Sequence, residues 1–185
     1  MTRIARPFDP SRLRETGPGI FYGDSDIATA DRDLIRYLKD RAFTTALGRA
    51  RFCAHPAPDA AQHDMLIVTH QSSYIAPHRH RIKSETFLLL EGQVDAIIFD
   101  DSGQRCEILP MGAPDSGRCF FYRMPSGRFH SQKILSESIV FLESTLGPFD
   151  VASSEYAPWA PAPNQWEAGR AFIEQCYGQA ASAAR

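Results

Sequence analysis

The chain has 185 residues, 43% of them apolar, and 20 Lys and Arg against 22 Asp and Glu give a formal charge of −2. That length suits one domain with flanking arms and a core that needs no disulfide staples. The near-neutral charge gives no reason to expect nucleic acid or an anionic membrane as partner. No apolar run approaches the ~20 residues of a membrane span, and the N-terminus lacks the apolar core of a secretory signal. Cys53, Cys106, Cys119 and Cys176 are scattered with no C-x-x-C pair, which reads as reduced thiols in a cytoplasmic protein.

Residues 1 to about 28 carry Pro7, Pro10, Gly17, Pro18, Gly19 and Gly23 without periodicity, and predict an arm draped over the domain or partly disordered. A helix is predicted from Thr29, a plausible N-cap, to Leu47. Asp31 and Asp33 lie at its positive end, and Leu34, Ile35, Leu38, Ala42 and Ala46 recur at helical spacing. From residue 49 the signal turns to β. Short extended runs cover residues 49–55, 65–69, 73–75, 86–90, 94–99, 105–109, 119–122, 132–135 and 138–143, with Asp101-Ser102-Gly103 as a hairpin turn. Many short strands without intervening helices predict an all-β sandwich or barrel. Asn164 with Glu167 opens a short helix to about Tyr177, stopped by Gly178 and followed by a frayed tail. The division is an arm and helix over 1–48, a barrel over 49–161, and a helix and tail over 162–185.

Within the strands, Pro77-His78-Arg79-His80 sets two imidazoles on one face, because side chains alternate with a period of two. Glu85 can return to that face if the strand turns and comes back antiparallel. Pro125-Ser126-Gly127-Arg128-Phe129-His130 adds a third imidazole after a turn. Three nitrogens and a carboxylate oxygen suit one divalent transition metal, Fe, Zn, Mn or Ni, with positions left for water or substrate. A buried carboxylate needs a partner, and a cation supplies it. A metal-free polar cluster held by hydrogen bonds is the competing reading.

H-x-H-x4-E-x6-G over His78, His80, Glu85 and Gly92, then P-x-G-x2-H over Pro125, Gly127 and His130, resembles the two motifs of the cupin superfamily. Ser72 and Cys119 stand where those motifs open with Gly, and Ile134 where the second closes with Asn. Residues 49–161 further resemble the WbuC family of cupin-fold metalloproteins. The matching residues are Arg49-x-Arg51-x3-His55, Tyr74-x2-Pro77-His78-Arg79-His80, Lys83-x-Glu85, Phe99-Asp100-Asp101-x-Gly103, Glu143-x3-Gly147-Pro148 and Ala157-Pro158-Trp159-Ala160-Pro161. His63 departs from the Arg of that pattern. The resemblance implies a metal-binding jelly-roll barrel linked to bacterial surface-polysaccharide and O-antigen biosynthesis, and supplies no activity. Barrels of this type commonly pair, so a homodimer is expected.

Arg49, Arg51 and His55 alternate, so one strand points all three the same way. They read either as a solvated edge strand or, with the family match, as a clamp for a carboxylate, phosphate or uronate. Tyr74 and Tyr122 flank the motifs, as cavity donors or as core, and Tyr74 joins Arg49, Arg51 and His55 as a candidate substrate-binding residue. Arg79 should face away from the histidines, toward an acidic group behind the sheet. Trp159 should anchor the tail, and Cys53 should be an inert buried thiol. The functional expectation is a metal-dependent enzyme acting on a small anionic or sugar-derived molecule, by isomerisation, epimerisation or oxygenase chemistry. The alternative is a metal-containing binding or sensing module without turnover.

Overall fold

The structure is a computed structural model that describes residues 8–150 and 153–183, with side chains as far as residue 178. The start of the expected arm (residues 1–7) and the end of the tail (184–185) lie outside the described residues. After a 3-10 turn at Pro10–Arg12, β1 (Leu13–Gly17) and β2 (Ile20–Gly23) form a hairpin, and α1 (Arg32–Thr44) leads into β3 (Arg49–Cys53). There follow β4 (Gln62–His70), β5 (His78–His80), β6 (Glu85–Glu91), β7 (Gln93–Phe99) and β8 (Arg105–Gly112). The chain ends with β9 (Phe121–Met124), β10 (Phe129–Ile134), β11 (Ser138–Leu146), β12 (Ser154–Tyr156) and α2 (Trp166–Ala183).

Two sheets result, one in the order β1-β2-β3-β4-β11-β6-β9 and one in the order β12-β5-β10-β7-β8. The chain crosses from sheet to sheet at almost every connection after β4, which makes a jelly-roll barrel of the cupin type. β4 shows why its sequence is an apolar run rather than an alternation. Met65, Ile67 and Thr69 face the barrel interior, while Leu66 and Val68 face α1 on the outside, so both faces are covered. α1 buries Leu34, Leu38 and Ala42, spaced i, i+4, i+8, against Phe52, Leu66 and Val68. A third apolar layer joins the outer face of the smaller sheet to α2 through Ile97, Phe99, Phe129 and Ile173. No helix among the described residues is long and apolar enough to cross a membrane.

Three expectations change. Residues 13–23 are not a draped arm. β2 runs parallel to β3 and extends the larger sheet, with Phe21 and Tyr22 buried. The N-cap of α1 is Asp31, whose carboxylate accepts from the amides of Asp33 and Leu34, so the helix starts later than Thr29. It also stops short of Leu47. Thr45 is extended at its C-cap, and Gly48 turns the chain with φ +63 into β3. α2 runs on through Gly178, because a glycine lowers helix propensity without ending a helix by itself.

Candidate metal centre and its cavity

β5 lies between β12 and β10 and carries His78 and His80 on its inner face. Arg79 between them points outward, where it donates to Glu155 at 3.0 Å and Asp101 at 2.9 Å and covers the Phe129 ring at 4.4 Å. β10 sets His130 directly opposite His78. Glu85 arrives differently from the sequence expectation. The strand after His80 does not double back beside β5; it crosses to the facing sheet and opens β6, paired with β11 and β9. The four groups therefore meet across the barrel, three from one sheet and one from the other.

One ligand atom each from His78, His80 and Glu85 lies within 4.8 Å of the others. His130 joins through Glu85, with its Nε2 3.0 Å from Oε1, and through His78, with ring centroids 4.5 Å apart. Its ring is 6.2 Å from that of His80. Each imidazole is held by its other nitrogen. Nδ1 of His78 donates to the Ala76 carbonyl and Nδ1 of His130 to the Arg128 carbonyl, both at 2.9 Å, while Nδ1 of His80 lies 3.0 Å from Ser154 Oγ. A carbonyl only accepts, so the neutral ring of His78 presents a bare Nε2 lone pair to the centre, and His130 does the same once its Nε2 gives up a proton. That is the arrangement found around metal-binding histidines.

The residues fit a cation on a direct observation. His130 Nε2 is buried without a hydrogen-bond partner although a carboxylate oxygen lies 3.0 Å away. The distance is short but the alignment is wrong for N–H···O, so the Glu85 charge is met either by a proton on His130 or by a cation that takes that proton's place. The electrostatics agree. Burial, with His130 alongside, pushes His78 down to about 3, so it stays neutral and available to a metal. Burial would depress His130, yet the Glu85 charge holds it above its ordinary value. Burial would likewise raise Glu85, but the surrounding imidazoles keep it well below the usual carboxylate range.

The centre opens into a cavity of about 510 Å³ between the sheets. Arg49, Arg51 and His55 all line it, so the three share a side as their alternation predicted, and that side is the cavity rather than solvent. His55 also stacks on His63, with ring centroids 3.9 Å apart and planes within 7°, so the unexpected histidine packs against the expected one. Tyr74 does not line it. Its ring is buried on the opposite face of the smaller sheet beside Ile173, and its hydroxyl donates to the Pro161 carbonyl at 2.8 Å. Strand parity could not reveal this, because Tyr74 precedes β5 in irregular chain. Tyr122 is core by its ring, stacked 5.0 Å from Phe87, while its hydroxyl donates to Glu85 Oε1 at 3.4 Å. Burial and the neighbouring Glu85 hold that phenol well above its usual range, so it stays a donor. Trp159 anchors the tail through Nε1 to the Asp101 carbonyl at 3.1 Å, and burial pushes the Cys53 thiol up.

Two cavity residues carried no assigned role in the sequence reading. Glu143 ends an apolar run, yet it shares parity with Phe141 and Thr145 on β11 and so faces inward; that parity was the available signal. Burial, reinforced by the charge of Glu85, pushes its carboxyl up to about 7. Thr69, at the end of the β4 run, turns the same way and stands opposite Arg49. A separate surface depression of about 630 Å³ beside Glu15 and Arg41 contains none of these groups.

A family model described as "Domain of unknown function (DUF6016)" matches residues 30–111. No curated protein matches the sequence. Among solved structures, oxalate decarboxylase from Bacillus subtilis is 20% identical over 58% of this chain, with a TM-score of 0.46; the match spans only 27% of the decarboxylase. Streptomyces Pac13, solved with uridine, is 12% identical over 60% of this chain and 79% of its own, with a TM-score of 0.46. A Shewanella oneidensis protein is 10% identical over 60% of this chain and 75% of its own, with a TM-score of 0.48.

Proposed function

We propose that this protein is a metal-dependent enzyme acting on a small anionic or sugar-derived molecule, by isomerase, epimerase or oxygenase chemistry. The observation that carries the reading is the convergence of His78, His80 and Glu85 at an accessible cavity, with the buried, unpartnered Nε2 of His130 3.0 Å from Glu85. These four residues would hold one divalent transition ion. When bound, such an ion polarises a carbonyl or hydroxyl, activates water or takes up O2. The WbuC-like motifs add surface-polysaccharide biosynthesis as the setting.

The surrounding residues have distinct tasks in this reading. Ser154 and the carbonyls of Ala76 and Arg128 fix the ring orientations, and Tyr122 orients Glu85. Met65, Ile67 and Phe141 give the cavity an apolar wall that limits water. Glu143, held near 7, can accept or return a proton at neutral pH.

The test begins with elemental analysis of protein purified without chelators or a metal-affinity step. Turnover of sugars, sugar nucleotides and small acids is then measured in air and anaerobically with the metal found. Close to one equivalent of metal and turnover of an acidic substrate are expected. A metal-free protein whose metal uptake is no better than that of a His80→Ala variant would end the reading.

A further inference from the structure

The β3–β4 wall of the cavity carries donors that the protein leaves unmatched. Arg49 and Arg51 both line the cavity, and the Nε of each is buried without a hydrogen-bond partner. The same holds for Oγ1 of Thr69, a residue 1% exposed that stands opposite Arg49 in the strand register. Arg12, Arg36, Arg41, Arg79 and Arg81 each meet a carboxylate within 2.9 Å. Among the described residues, neither Arg49 nor Arg51 takes part in an ion pair, with Glu143 or any other acid. Both side chains are half-buried, so part of each guanidinium leaves water without a counter-charge, and burial lowers the pKa of Arg49 accordingly.

The strand bearing these arginines is pinned through its backbone. The Arg49 amide donates to Thr45 Oγ1, which donates back to the Arg49 carbonyl, both at 2.9 Å. The Arg51 amide donates to the Gly19 carbonyl at 2.7 Å. Gly19, at φ +73, comes so close that a Cβ there would lie 2.6 Å from the Arg49 carbonyl oxygen. The N-terminal hairpin and the end of α1 thus fix the arginine strand in place. Arg49 and Thr69 stand side by side, and Arg51 follows about 6.6 Å along the strand. Three unmatched donors, two of them cationic, in one wall of a cavity are the requirements of an oxyanion site.

We propose that Arg49, Arg51 and Thr69 form an oxyanion subsite for the carboxylate or phosphate of a small molecule whose other end reaches the histidine and Glu85 cluster. Only the second half of this statement rests on the metal-dependent reading; the oxyanion end belongs to β3 and β4. Its consequence is selection by charge, since a neutral sugar leaves both guanidiniums unmatched. Tyr74, on the opposite face of the smaller sheet, has no part in the subsite.

Titration calorimetry with D-glucuronate, glucose 6-phosphate and glucose, on metal-free and metal-loaded protein, tests it. At least one of the two anions should bind roughly tenfold or more tightly than glucose, with affinity falling as salt rises. Glucuronate alone assigns a carboxylate, and glucose 6-phosphate alone a phosphate. Arg49→Met and Arg51→Met should each weaken that binding roughly tenfold or more. Each ligand-free variant should melt close to the wild type, because no ion pair is lost. Anion binding that survives in His80→Ala without metal supports the subsite even if the proposed chemistry fails. No saturable binding of either anion, affinity equal to that for glucose, or unchanged affinity in both arginine variants would each overturn the subsite, whatever the metal content.

Discussion

His130 Nε2 and Glu85 Oε1 lie 3.0 Å apart across the barrel without forming a hydrogen bond. They come from opposite sheets, so packing of the two sheets sets this approach, and the pair is positioned for a shared third body. Glu85→Gln keeps the shape but removes the charge, and His130→Ala removes a ligand. Each should lower metal affinity by roughly tenfold or more, with metal content on purification dropping in step. In the wild type, metal at about a hundredfold excess over its Kd should stabilise the fold by about 2.7 kcal/mol. Elemental analysis and thermal melts check both.

Ser154 acts through His80, 3.0 Å from its Nδ1. Ser154→Ala frees the ring to rotate without touching the centre. Metal affinity should fall by roughly 10-fold to 100-fold while the metal-free melting temperature stays close to wild type. A competition titration with a chelator of known affinity gives the first number, and calorimetry the second.

The pH dependence of the metal-free protein has a defined sign. Glu143 is raised from 4.5 to about 7, by burial and then by Glu85, so the folded state keeps a proton that the unfolded chain releases. Stability from that proton is fully present below about pH 4.5 and is lost as pH rises through about 7. His130, also raised, contributes in the same direction. His78, held down to about 3, works the opposite way below about pH 6.5, where the unfolded chain takes up its proton. The melting temperature of metal-free protein should therefore decline between about pH 6.5 and 8, and Glu143→Gln should make that decline shallower.

Tyr74 offers a control for the corrected assignment. Tyr74→Phe removes a buried hydroxyl bonded to Pro161 and should destabilise by about 1 kcal/mol. Metal and anion affinity should be unchanged, as measured by the same titrations. A loss of affinity would return Tyr74 to the cavity.

Leu38 is 0% exposed between α1 and the larger sheet. Leu38→Ala should cost roughly 3 kcal/mol and lower the single unfolding transition of the whole chain. A separate early transition for the helix would show that α1 folds apart from the barrel.

Much of the fold was legible because the strands announce themselves by local pattern. β4 and β11 read as β from their apolar runs, and the shared face of Arg49 and Arg51 follows from a period of two. The hairpin of residues 13–23 was hidden, since Gly17, Pro18 and Gly19 look like breaks until β2 finds β3 as a partner. Tyr74 was misplaced because no regular strand assigns it a face.

The sequence alone singled out His78, His80, Glu85 and His130 as candidate ligands, through their spacing, and set which residues of a strand share a face, because both depend on local geometry. Tertiary structure decided that Glu85 reaches the histidines from the facing sheet and that Glu143 and Thr69 share their cavity. It also left Arg49 and Arg51 without carboxylate partners among the described residues. These are relations between strands distant in the chain. They depend on how the sheets stack and which charges they shut away from water, and no local pattern encodes that.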